Sequence, residues 1–173
     1  TQNIAFFFLF LATLLIVVPV GLIVIIIAQK GLPAINWQFL SDMPRQGMRA
    51  GGIFPAIVGT IYLVTGAIIF ALPIGLLAAI YLSEYSKDNL LTRLIKLAIV
   101  NLAGVPSVVY GLFGLALFVV FFKFGASIIS GSLTLGIMIL PVIITTSREA
   151  LESVPYSFRE VSLSLGASKW QTI

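Results

Sequence analysis

Ile4-Ala-Phe-Phe-Phe-Leu-Phe-Leu-Ala-Thr-Leu-Leu-Ile-Val-Val-Pro-Val-Gly-Leu-Ile-Val-Ile-Ile-Ile-Ala28 contains no charged residue. It exceeds the ~20 apolar residues that carry an α-helix across a bilayer. A buried core helix would need surrounding soluble protein, which this chain does not offer. A secretory signal has an apolar run of about 7–15 residues and a small-residue cleavage site; this stretch is longer and has no such site. The rest of the chain agrees. Of its 173 residues, 60% are hydrophobic and 9% charged, whereas soluble domains carry roughly 25% charged residues. The fold class is therefore an all-α membrane protein.

What is missing narrows the chemistry. There is no Cys and no His, which removes disulfides, thiol nucleophiles, imidazole bases and ordinary zinc sites. The carboxylates lie in or beside polar segments, and no G-x-x-x-x-G-K-[ST] loop is present to cradle ATP phosphates. No catalytic or metal-binding residue is expected, and no cofactor in this chain. The ten Lys and Arg residues are scattered, so they form no nucleic-acid-binding stripe.

Three more apolar segments follow, at about Ile53–Ser83, Leu94–Phe122 and Leu133–Ser147. The last is short for a span and would recruit Ser127–Ser132 or continue past Ser147. The polar loop Gln29–Gly52 holds Trp37 and Phe39, suited to a membrane interface. Glu84–Arg93 and Lys123–Leu133 are connections, and Arg148–Ile173 is a polar tail. With the N-terminus in the cytoplasm, Lys87, Arg93, Lys96, Arg148, Arg159 and Lys169 fall inside and Lys30, Arg45, Arg49 and Lys123 outside. Six against four favours that orientation. The division expected is 1–52 (first span and external loop) and 53–173 (the core with its tail).

The later spans are punctuated by Pro55, Gly59, Gly66, Pro73, Gly75, Gly104, Pro106, Gly111, Gly114 and Pro141. Small residues let helices pack closely; alternatively, the concentration marks helices that line or flex around a pathway. On the second reading, Thr60, Thr65, Asn101, Gly104, Pro106, Ser107 and Tyr110 are the pathway or gating candidates. Asn101 is the costliest of the polar residues in lipid, although a bond to a neighbouring helix accounts for it equally well.

In the tail, Val154, Phe158, Val161 and Leu165 share one helical face, and Ser157 with Glu160 has capping-box spacing. Gly166 suits a helix end with positive φ, and Ser168 the cap of a following helix. A helix, a glycine break and a second helix start could be an interfacial helix, a connector or a peg for a partner's groove.

Arg159-Glu-Val-Ser-Leu-Ser-Leu-Gly166-Ala-Ser-Lys-Trp170 resembles the EAA cytoplasmic loop of binding-protein-dependent ABC importer permeases. Glu160 and Gly166 match in place, while Val161 and Ser162 stand where that motif has two alanines. Gly51-Gly-Ile-Phe-Pro-Ala-Ile-Val-Gly-Thr60, Ala71-Leu-Pro-Ile-Gly75, Tyr81-Leu-Ser-Glu-Tyr85, Asn101-Leu-Ala-Gly-Val-Pro-Ser-Val-Val-Tyr-Gly-Leu-Phe-Gly114 and Val154-Pro-Tyr-Ser-Phe-Arg-Glu160 resemble the PstA-type phosphate-importer permeases. The sister PstC type carries a closely similar glycine-proline block. One departure lies at Thr145-Thr-Ser-Arg-Glu-Ala-Leu151. Thr145 stands where the family has a basic residue and Arg148 where it has an acidic one, so no charge role is carried over.

The resemblance implies a type I ABC importer (MetI-like) helix bundle, part of a six-span subunit of the cell membrane. Two further spans and the rest of the motif are expected beyond Ile173. It also implies a PstC-like second permease, two PstB-like ATPase subunits that bind ATP-Mg, and a PstS-like extracytoplasmic phosphate-binding protein. Leu165, Gly166, Ala167 and Ser168 would form the turn docked on the ATPase, with Glu160 holding it. A permease for molybdate or sulfate, or a transporter or channel without an ATPase, are the other readings of the same residues.

Overall fold

The computed structural model describes residues 2–173. The chain divides into two compact units, one ending at Val58 and the other Gly59–Ile173, a few residues past the boundary at 52/53 read from the sequence.

In the first unit, α1 (Gln2–Gly31) is one apolar helix with Pro19 inside it and no buried residue. A one-turn 3₁₀ helix, Leu32–Ala34, follows. The segment read as a polar loop is more ordered than expected. It holds the short helix α2 (Trp37–Ser41), capped by Asn36 accepting from the Phe39 amide at 2.7 Å. It also holds a two-residue antiparallel hairpin, β1 (Pro44–Arg45) against β2 (Ala50–Gly51).

α3 (Phe54–Ile80) carries the chain across the division and widens into a π-helical turn at Tyr81–Tyr85. The second unit continues with α4 (Leu90–Ala103), α5 (Ser107–Gly114) and its π-helical extension Leu115–Phe121, α6 (Ile128–Glu152), α7 (Tyr156–Ser164) and α8 (Lys169–Thr172). The short fourth segment thus grows in both directions to form α6.

Small residues build the core. Ala67, Ala71, Gly75 and Ala79 recur every fourth residue along α3 and are all buried, a seam that lets a neighbouring backbone come close. That neighbour is α6. A Cβ on Gly66 would lie 2.5 Å from Ser132 Oγ, on Gly136 2.6 Å from Phe70 Cδ1, and on Gly75 2.6 Å from Ile143 Cγ2. Ser132 donates to the Leu63 carbonyl at 3.2 Å. These contacts advance together along both sequences, so α3 and α6 run parallel.

Parallel neighbours require a return crossing between them, and here one sequence expectation is corrected. The segment read as a single span, Leu94–Phe122, is two helical legs, Leu90–Ala103 and Ser107–Phe121, bent by 98°. Pro106 has no amide hydrogen and its ring pushes Val105 out of helical geometry, so the ladder stops at Gly104 rather than kinking. Two legs of about 20 Å each, turned by 98°, end about 26 Å apart, close to the ~30 Å hydrocarbon thickness. Three helices, α1, α3 and α6, are each long and apolar enough to cross a membrane, and the bent pair, counted as one broken span rather than a re-entrant loop, brings the number to the four read from the sequence.

Candidate functional site

The segment 81–85 and the tail come together at one end of α3 and α6. The π-helical turn ends α3 with Glu84 in its last stretch. Glu84 Oε1 accepts from Arg159 Nη2 at 2.7 Å, with both side chains largely sheltered (14% and 15% exposed). The same guanidinium donates to the carbonyls of Leu151 at 2.7 Å and Val154 at 2.8 Å. Arg159 therefore adds a donor to the Leu151 carbonyl in the last turn of α6 and to the Val154 carbonyl just past it, and joins α7 to both spanning helices. On the other side of the glycine break, Lys169 Nζ donates to the Glu84 carbonyl at 3.1 Å and sits 5.1 Å from the centre of the Tyr85 ring, within cation–π range. One residue, Glu84, receives a cation from each helix of the tail.

Between those two cations lies the turn singled out from the sequence. α7 ends at Ser164, Gly166 has φ +85, and the Ala167 amide reaches back to the Ser162 carbonyl at 3.2 Å. A left-handed residue at this place is what closes a helix onto a new direction. Ser168 caps α8 in a full capping box with Gln171, and Ser162 and Thr172 hydroxyls meet at 3.0 Å, tying α7 to α8. The Ser157–Glu160 capping box does not form. Pro155 occupies the cap of α7, so Ser157 is already the second helical residue.

The turn is framed but uncovered. Leu165 is 84% exposed, Phe158 and Val161 of α7 are also exposed, as is Val154, which lies before the cap of α7 and so off the helical face read from the sequence, and nothing lies within 4 Å of a Cβ placed on Gly166. Glu160 is exposed and makes no ion pair among the described residues; the internal contact is made by its neighbour Arg159. Arg148 lies along α6 with its Nε 3.4 Å from Glu152 Oε1.

The pathway candidates do not converge. Thr60 and Thr65 are on α3, and Asn101, Gly104, Pro106 and Ser107 flank the break, all exposed. Tyr110 is buried, and its hydroxyl donates to the Leu102 carbonyl at 2.9 Å across the break, bracing the bend. None of them lines the groove of about 460 Å³ that Leu63, Gly111, Gly114, Ser130 and Thr134 form between α3, α5 and α6. Sequence reasoning missed Glu84, Tyr85, Arg159 and Lys169 as a set. The available signal was a carboxylate just past an apolar run and two basic residues bracketing the glycine.

A bundle of membrane-spanning helices with a small-residue seam and an exposed, framed helix–turn–helix tail defines a transport permease component rather than an enzyme. Residues 71–173 match the family described as "Binding-protein-dependent transport system inner membrane component". The chain belongs to that family. It is 32% identical over 94% of its length to the probable ABC transporter permease protein YqgI of Bacillus subtilis, covering 55% of that protein. It is 36% identical over 83% of its length to the phosphate transport system permease protein PstA of Pasteurella multocida, covering 51%. With PstA of Mycobacterium leprae the identity is 33% over 99% of the chain and 58% of the relative. The chain thus spans about half the length of the curated relatives it matches. No solved structure is a significant match.

Proposed function

We propose that the chain is the permease part of an ATP-driven inorganic phosphate importer, with its tail and N-terminus on the cytoplasmic side of a bacterial or archaeal membrane. Relatives named as PstA support phosphate as the substrate. The observation that carries the mechanism is the uncovered turn at Leu165–Ser168, held on a rigid frame with its apolar side chains outward. An apolar knob on a short helix fits a groove on a partner. The partners are a PstC-like permease, two PstB-like ATPases holding ATP-Mg, and a PstS-like binding protein. Closure of the ATPases pulls the turn, and the spanning helices swing between inward and outward access.

The test uses the full-length protein assembled with its partners in proteoliposomes. Phosphate loaded on the binding protein should stimulate ATP hydrolysis and uptake; stimulation by sulfate or molybdate instead would overturn the substrate. Gly166→Arg should insert normally and hydrolyse ATP without transporting. Normal ATP-driven uptake by that variant would sink the docking role.

A further inference from the structure

The position of Glu84 has a consequence for how the turn and the membrane are joined. Its carboxylate holds Arg159, which precedes Gly166, and its carbonyl holds Lys169, which follows it. The turn is therefore fastened at both ends to one short stretch of α3, whereas its covalent link to α6 runs through the exposed segment 153–155. The π-helical widening at Tyr81–Tyr85 presents Glu84 and Tyr85 toward the tail, and such widenings are frequent at functional positions. Arg159 also reaches the Leu151 carbonyl of α6 and the Val154 carbonyl just beyond it, so one guanidinium clamps α3, α6 and α7. A charge-assisted contact of this geometry is roughly twice as strong as a neutral one, and its sheltered position protects it from solvent screening.

We propose that Glu84 is the anchor by which displacement of the docking turn is passed to α3, with Arg159 and Lys169 as its two tethers. All three are positioning residues. The proposal rests on the ATPase-docking reading above, and it adds that α3, not α6 alone, moves with the tail. Because Gly66, Ala67 and Gly75 of α3 pack on α6, a pull on Glu84 is delivered to both helices of the seam together.

The test uses the assembled full-length transporter and two readouts. The first is the ratio of phosphate transported to ATP hydrolysed for Glu84→Gln, Arg159→Gln and the double variant, with Asp88→Asn as a control from an exposed ion pair. Loss of one charge-assisted hydrogen bond shifts the attached-to-detached balance by about tenfold, so coupling should fall by a large part of that factor in either single variant. The double variant should be no worse than the singles, because the two residues act as one unit. Additive losses, or a loss in Asp88→Asn equal to that in Glu84→Gln, overturn the anchor. The second readout does not depend on the substrate. Spin labels at Lys87→Cys and Ser164→Cys, both exposed in a chain without native cysteine, report the distance between the end of α3 and α7 with ATP and vanadate. The distance should stay fixed in the parent and lengthen or broaden in Glu84→Gln. An unchanged distance in Glu84→Gln overturns the anchor even where phosphate stimulation is normal. Absent phosphate stimulation with a distance that responds overturns the substrate and leaves the anchor standing.

Discussion

Gly111 and Gly114 lie one helical turn apart on α5, and the same substitution should have opposite effects at the two positions. A Cβ on Gly111 meets nothing within 4 Å. Gly111→Ala therefore keeps only the gain in helix propensity, at most about 1 kcal/mol. A Cβ on Gly114 would overlap Thr134 of α6, nearest at Oγ1, with Cγ2 at 2.5 Å and Cβ at 2.8 Å. Thr134 cannot simply turn away. Its χ1 is stiff, and its hydroxyl donates to the Ser130 carbonyl at 2.7 Å, a bond worth about 1 kcal/mol. The helices must separate instead, and overpacking of this kind costs about 1–3 kcal/mol. Set against the propensity gain, Gly114→Ala is destabilised by up to about 2 kcal/mol, and the two alanine variants differ by roughly 2 kcal/mol. For a chain of this size that is a gap of about 4–8 °C in Tm, readable by heating the detergent-solubilised protein and following the monodisperse fraction. Adding Thr134→Ala removes two of the three overlapping atoms and should recover much of the loss. A Gly114→Ala protein as stable as Gly111→Ala would refute the packing of α5 on α6.

Tyr110→Phe removes the hydroxyl that donates to the Leu102 carbonyl and leaves that carbonyl with the Val105 amide at 3.0 Å; it should cost about 1 kcal/mol and speed amide exchange at residues 102–107 relative to the parent. The Arg93 guanidinium, by its hydrogen bond and then by its charge, lowers the Asp88 pKa below the usual carboxylate value. The pair's contribution is therefore present above the unfolded carboxylate pKa and lost as pH falls through the lowered folded value. Acid titration followed at Asp88 by NMR should place its midpoint below that of an Asp88 in the Arg93→Gln variant. Single cysteines at Lys87→Cys and Ser164→Cys should both react with a membrane-impermeant thiol reagent from the same side of oriented vesicles, because α3 and α6 are parallel; labelling from opposite sides refutes that arrangement.

The spans were legible because their signal is composition: uninterrupted apolar runs leave an α-helix as the only way to satisfy the backbone in lipid. Gly166 and Ser168 were legible for a different reason, since caps and positive-φ turns obey local rules that tertiary contacts rarely overturn. The Ser157–Glu160 box failed on a local rule as well, because Pro155 takes the cap two residues earlier. The break at Pro106 was visible only as an interruption. Its 98° angle is set by what each leg touches, including the Tyr110 hydroxyl on Leu102, and no residue pattern encodes that. The seam residues Ala67, Ala71, Gly75 and Ala79 have the small-residue spacing in plain sequence, but Ala and Gly also occur on lipid-facing surfaces, so the partner helix decides their meaning. The ion pair of Glu84 with Arg159 joins residues far apart in sequence and could be found only once the parallel packing brought their ends together.

That packing also changes the weight of the charge argument. The sequence had to assume that the connection after α3 and the tail share one side of the membrane before six cations could be counted together. Parallel α3 and α6 end on the same side, and the Glu84–Arg159 contact at 2.7 Å joins those ends directly. The grouping of Lys87 and Arg93 with Arg148, Arg159 and Lys169 then follows from helix direction rather than from a chosen topology. Several of these cations are internally paired: Arg93 with Asp88, Arg148 with Glu152, Arg159 with Glu84. Pairing does not undo the orientation signal, because acidic residues weigh little in it. It does limit what the tail can offer a partner. Arg159 and Lys169 are already engaged by Glu84, so the surface left for docking is the apolar edge at Phe158, Val161 and Leu165 with the exposed carboxylate of Glu160 beside it. On the docking role proposed above, the partner groove that would fit this edge is apolar along its length and basic at one end, and its grip would rest on packing more than on the tail's own positive charge.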